Sequence, residues 1–150
     1  MPFRHIATLI MLSLIAGCSS STDKYIEYQI TPPAQFVVLH AIGYAPISSQ
    51  KGDTKTAKML NAIRASKLAA YRELSEQVNG QQISGQASVS ELIIQSSSFK
   101  TSVQGLIRGA KVVQSYPVND DIYATELELD FAVVYQLYTS SNSPRRVSNR

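Results

Sequence analysis

The period of the hydrophobic pattern changes several times along the chain, and each change marks an element. From Gln35 the run QFVVLHAIGYA is apolar and β-branched until Gly43 and Pro46 punctuate it, which predicts a buried strand over residues 35–44 and a loop through SSQKGD. Over residues 54–78 the period lengthens. Leu60, Ile63, Tyr71, Leu74 and Val78 fall on one face at about 100° per residue, so the pattern predicts a helix. Asp53 is its expected N-cap, and Asn79-Gly80 its stop, with Gly80 in the left-handed conformation. Arg64 and Lys67 project to the same face. Their stems can cover the stripe while the charges reach water, and contact with a neighbouring subunit is the alternative.

After a short QQISG segment, Ser88 and Glu91 have capping-box spacing. Val89, Leu92, Phe99, Val103 and Ile107 broadly keep helical spacing, so a second helix is expected over about 88–104. Ser96 to Ser98 weaken the pattern, and a strand over part of 89–95 is the lesser alternative. Lys111 to Tyr116 and Ile122 to Tyr135 are two strands around the turn-rich PVNDD, an antiparallel hairpin. In the second, Tyr123, Thr125, Leu127, Leu129, Phe131, Val133 and Tyr135 alternate strictly with a face holding Glu126, Glu128 and Asp130. One face is core and the other is wet, with Lys111 and Arg108 available from the neighbouring strand. Two amphipathic helices packed on one side of a small antiparallel sheet satisfy these faces, an α+β architecture.

The first eighteen residues follow another logic. Arg4, the apolar stretch from Ile6 to Ile15, and small residues before a cysteine are the parts of an export signal, and the stretch is about half the length of a membrane span. Ile15, Ala16, Gly17 and Cys18 resemble the lipobox of bacterial lipoproteins, whose cysteine receives a diacylglyceryl group before the signal is cut away. Residues 1–17 are therefore read as signal peptide, 18–33 as a lipidated tether ending in Pro32-Pro33, 34–138 as one α+β domain, and 139–150 as a disordered basic tail. Two acyl chains suffice for stable anchoring, and a fully processed cysteine of this kind exceeds that. Ser19, rather than the aspartate that retains many such lipoproteins at the inner membrane, favours the outer membrane.

Composition bounds the rest. The sequence holds 14 Lys and Arg against 11 Asp and Glu. Arg4 leaves with the signal and Arg145, Arg146 and Arg150 lie in the tail, so residues 18–138 hold ten basic against eleven acidic side chains. A nucleic-acid footprint on the domain is thus unsupported. With Cys18 used, no disulfide or thiolate metal site is available. His40 reads as a hydrogen-bonded core or rim histidine, and no zinc spacing exists. Glu126 and Glu128 could be paired catalytic carboxylates, but a solvated strand face explains their spacing. No phosphate-loop glycine pattern occurs. Neither an enzyme nor a cofactor beyond the covalent lipid on Cys18 is expected.

The order HAIGYAPI, RASKLAAYRELSEQVNGQQISG, QGLIRGAKVVQSYP and YATELELDFAVVY resembles the small outer-membrane lipoprotein family that includes the flagellar assembly lipoprotein FlgP. The resemblance implies a non-enzymatic component of the flagellar basal body, needed for motility. Its acyl chains would sit in the outer membrane and its domain, facing the periplasm, would associate in a homo-oligomeric ring with other basal-body ring proteins. Candidate subunit contacts are Arg64 and Lys67 against Glu126, Glu128 and Asp130. The alternative is a general envelope lipoprotein that binds an outer-membrane or cell-wall ligand.

Overall fold

The computed structural model describes residues 34–142 apart from Gln86; the signal, lipobox, Cys18, most of the tether and the tail beyond residue 142 lie outside the described residues. Strand β1 (Val38–Pro46) is followed by helix α1 (Lys55–Gly80), a short hairpin of β2 (Gln82–Ser84) and β3 (Ala87–Ser88), helices α2 (Val89–Gln95) and α3 (Ser97–Arg108), strands β4 (Lys111–Pro117) and β5 (Ile122–Asp130), and helix α4 (Ala132–Asn142). The larger sheet has the antiparallel order β1-β5-β4, so the last strand made lies in the middle. The fold is α+β as the patterning predicts.

β1 is buried on one face only. Leu39, Ala41, Gly43 and Ala45 point inward and Val38, His40, Ile42 and Tyr44 outward. The expectation of a fully buried strand mistook a two-sided apolar run for a two-sided burial. The inward residues are small because α1 lies directly on them: a Cβ on Gly43 would overlap the backbone of Ser66 and Ala70. The buried stripe of α1 is accordingly Ala62, Ser66, Ala70, Leu74 and Val78: Leu74 and Val78 are buried as the pattern predicts, while small residues take the places expected for Leu60, Ile63 and Tyr71. Leu60 is 49 % exposed, and Ile63 and Tyr71 are half-buried. Close approach selects small side chains at one end of the helix and leaves Leu74 and Val78 to fill the wider end.

The helix ends differ in detail from expectation. Thr54, not Asp53, is the N-cap, its hydroxyl accepting the Ala57 N–H at 3.1 Å. Gly80 is not left-handed: the one positive-φ glycine described is Gly52, and the chain leaves α1 in extended conformation through Gln81. The capping box of α2 is present, with Glu91 N–H donating to Ser88 Oγ at 3.3 Å and Ser88 N–H to Glu91 Oε2 at 2.8 Å. Residues 89–95 are helix and not strand. The expected second helix is in fact two, broken at Ser96, which caps α2 on one side and whose hydroxyl accepts the Phe99 N–H on the other.

The largest correction falls at residue 131. The strand expected to run to Tyr135 stops at Asp130, and Ala132–Asn142 are helical, including residues 139–142 of the expected tail. Asp130 Oδ1 accepts the Ala132 N–H at 2.8 Å, and the Phe131 carbonyl accepts from Val134 and Tyr135. Phe131, Val134 and Tyr135 then close the core over Leu39, Phe99, Val103 and Leu129. At the other end of the sheet Asp121 ties the β4–β5 turn to the exit of β1, accepting from Ser48 N–H and Oγ at 2.7 Å each.

Candidate functional site

Two exposed faces remain once the layers are assembled. The first is the outer face of the sheet. Thr125 points inward to Ser66 Oγ at 2.8 Å, so its neighbours Glu126 and Ala124 point away from α1. Register then sets Glu126 between Ile42 and Gln114, Glu128 between His40 and Lys111, and Ala124 between Tyr44 and Tyr116. Val38, Ile42 and Tyr44 are 42–56 % exposed along the β1 side of this face, and among the described residues no element packs over it.

Its carboxylates each have partners. Tyr116 donates its hydroxyl to Glu126 Oε1 at 2.6 Å. That bond, helped by one from Gln114, holds the Glu126 carboxyl below its ordinary value, and the same bond raises the Tyr116 hydroxyl. Glu128 has Lys111 Nζ at 3.4 Å and His40 Nδ1 at 4.0 Å. Asp130 is occupied in capping α4. A general acid needs a carboxyl pushed upward, whereas Glu126 is pushed the other way, which suits that side chain to presenting negative charge rather than delivering a proton. His40, expected in the core or at its rim, stands on this outer face with its side chain 63 % exposed. Arg108, expected beside the acidic row, ends α3 and donates to the Gln104 carbonyl.

The second face is the outward side of α1. Ser66 faces the sheet, so Arg64, Leu68 and Arg72, spaced four apart, form a ridge pointing away from it. Leu68 is 64 % exposed. Shallow depressions of about 370 and 530 Å³ flank it, one walled by Tyr71 and Arg108 of the α3 side, the other by Lys51 and Asn61. Lys67 lies over the Tyr71 ring at 5.8 Å from its centroid instead of covering an apolar stripe. Arg64 donates to Asn61 Oδ1 at 3.3 Å.

Arg64 and Lys67 therefore sit on the opposite side of the layer from Glu126, Glu128 and Asp130, and one chain does not bring the two groups together. Ile15, Ala16, Gly17 and Cys18 lie outside the described residues. The sequence reading missed Tyr116, Ile42, Tyr44 and Leu68. For β1 the signal was present: Ala41, Gly43 and Ala45 at every second position mark the side against which something must pack closely, leaving the alternate residues outward.

Among the described residues no helix is long and apolar enough to cross a membrane. Comparison with known proteins gives one finding: the family model described as LPP20 lipoprotein matches residues 29–130. No curated protein matches the chain, and no solved structure does.

Proposed function

The chain belongs to the LPP20 lipoprotein family, and from that premise we propose that it is an outer-membrane lipoprotein, acylated on Cys18, whose domain is a structural part of the flagellar basal body. The observation that carries this reading is the pair of unlike exposed faces on opposite sides of the domain, acidic and apolar on the sheet, basic and apolar on α1. A subunit of a closed array needs two such faces, because a ring is built from heterologous contacts. The segment order, which resembles that of the flagellar lipoproteins, supports the setting. Acyl chains on Cys18 supply the membrane attachment that the described helices do not, and Ser19 supports the outer membrane as destination. We assign the domain no catalysis and no cofactor, since Glu126 is held by the Tyr116 hydroxyl, Glu128 by Lys111 and Asp130 by the first turn of α4.

Electron cryotomography of motors in wild-type, deletion and Cys18→Ala cells tests the reading. Loss of a ring or disc at the outer membrane in the deletion strain, together with impaired swimming, is the expected result, and an unchanged basal body would sink it. Cys18→Ala should move the protein out of the membrane fraction and remove the same density. A second reading, a general envelope lipoprotein with a cell-wall or outer-membrane ligand, is favoured by the family match, which speaks only of lipoproteins. Detergent sensitivity with normal swimming in the deletion strain is its signature.

A further inference from the structure

We infer that the two faces bind each other between neighbouring copies of this chain, the open sheet face of one copy receiving the Arg64–Leu68–Arg72 ridge of the next. The inference deepens the basal-body reading and rests on it for the place where copies meet.

Complementarity of chemistry is the first support. The β1 side of the sheet face presents Ile42 and Tyr44 beside the carboxylates of Glu126 and Glu128, while the ridge presents Leu68 between two guanidinium groups. Laid together, apolar surface meets apolar surface, and the guanidinium groups come to the face that carries the Glu126 carboxylate. The second support is charge left uncompensated within one copy. Glu126 is oriented by neutral donors, Tyr116 and Gln114, which fix the carboxylate without cancelling its charge. Among the described residues neither Arg64 nor Arg72 makes an ion pair with a carboxylate; the ion pairs present both belong to Glu128. The third support is geometric. Because the faces lie on opposite sides of the layer, a copy cannot satisfy itself, and pairing the ridge with its own kind sets arginine opposite arginine. A contact that engages both faces is head to tail, and head-to-tail contacts close into rings or run on as filaments.

Cysteine cross-linking in cells tests this with the full acylated chain. Cys18 is the sole native cysteine and is consumed by the lipid in the proposed reading, so an introduced thiol is unique. Ile42→Cys and Leu68→Cys lie on exposed positions, 42 % and 64 % accessible, and disturb no core contact. Co-expressed as two tagged chains and treated with a short bis-maleimide, they should give a linked species containing one of each. A chain carrying both should give a ladder, and each single variant alone should remain unlinked. Reversing the ridge with Arg64→Glu and Arg72→Glu should lower the linked yield by about tenfold or more. Homodimers of either single variant would overturn the inference, as would a link to a different protein. So would the absence of any link between copies; if the deletion strain also lacks its basal-body density, that result removes the pairing of faces and leaves the basal-body reading standing. Conversely, a ladder in cells whose deletion strain has an unchanged basal body keeps the pairing and removes its setting.

Discussion

At the scale of single residues, Gly43 and Glu126 make the sharpest predictions. An alanine at 43 drives a methyl group into the backbone of Ser66 and Ala70, and backbone cannot swing aside as a side-chain tip can. Gly43→Ala should cost about 3 kcal/mol, the upper end for overpacking a core. Urea titration of the unacylated mature chain would read this as a lower midpoint at unchanged slope. Glu126 yields a pH prediction. Its folded carboxyl titrates below the ordinary 4.5 because Tyr116 donates to the ionised form, so the bond adds stability above that value and loses it as pH falls through the lower folded one. The Tyr116 hydroxyl titrates above its ordinary 10.0, so the same bond is lost again as pH rises through that higher value. Tyr116→Phe should move the Glu126 titration upward in carboxyl NMR and flatten the acid limb of the stability curve. A Glu126 titration that stays put in the variant would show that the hydrogen bond is not the cause. Glu126 and Glu128 of the β5 row were legible from alternation alone. Tyr116 was not, because its partner is chosen by strand register and a bulge between Val112 and Gln114 resets that register.

Elements were legible where solvent enforces the period. β5 alternates because one face is wet, and the capping box of α2 is a local hydrogen-bond pattern that needs no partner element. α1 was found as a helix, but its buried face was misplaced by taking the largest apolar residues. Hydrophobicity favours Leu60 and Tyr71, whereas the packing that won brings the helix backbone against Gly43 and needs Ala62, Ser66 and Ala70 there. The switch at residue 131 has a similar origin. Phe131, Val133 and Tyr135 keep the strand period, while Phe131, Val134 and Tyr135 keep a helical one, and both readings coexist in the same letters. Capping by Asp130 and burial of Val134 favour the helix. Asp130→Ala should therefore cost about 1 kcal/mol, the value of a lost helix cap. Had the strand continued, Asp130 would be an exposed strand residue and the substitution nearly neutral, so thermal or urea unfolding of this one variant separates the two.

For the whole molecule, a lipid on Cys18 would limit how far the domain can stand from the membrane by the length of residues 19–33. Residues 19–33 separate Cys18 from the domain, and fully extended chain spans at most about 50 Å over that length. If Cys18 is acylated in the inner leaflet of the outer membrane, tomograms should place the domain within about 50 Å of it. Deleting ten tether residues should draw that density inward by no more than about 35 Å. Density beyond the first limit would mean that something other than this lipid positions the domain.

Sequence by itself determined the α+β class, the hairpin around PVNDD, the wet acidic face of β5 and the presence of a long first helix. These rest on local chemistry: alternation, helical spacing, and caps that bond within a few residues. Only the tertiary structure decided which side of α1 is buried, where β5 gives way to α4, and that His40, Ile42 and Tyr44 share an open face with Glu126 and Glu128. The reason is the same in each case. A period says that a residue has a buried side or an exposed one, but which of two plausible sides is buried depends on how closely another element approaches, and that distance is set by residues far away in the chain.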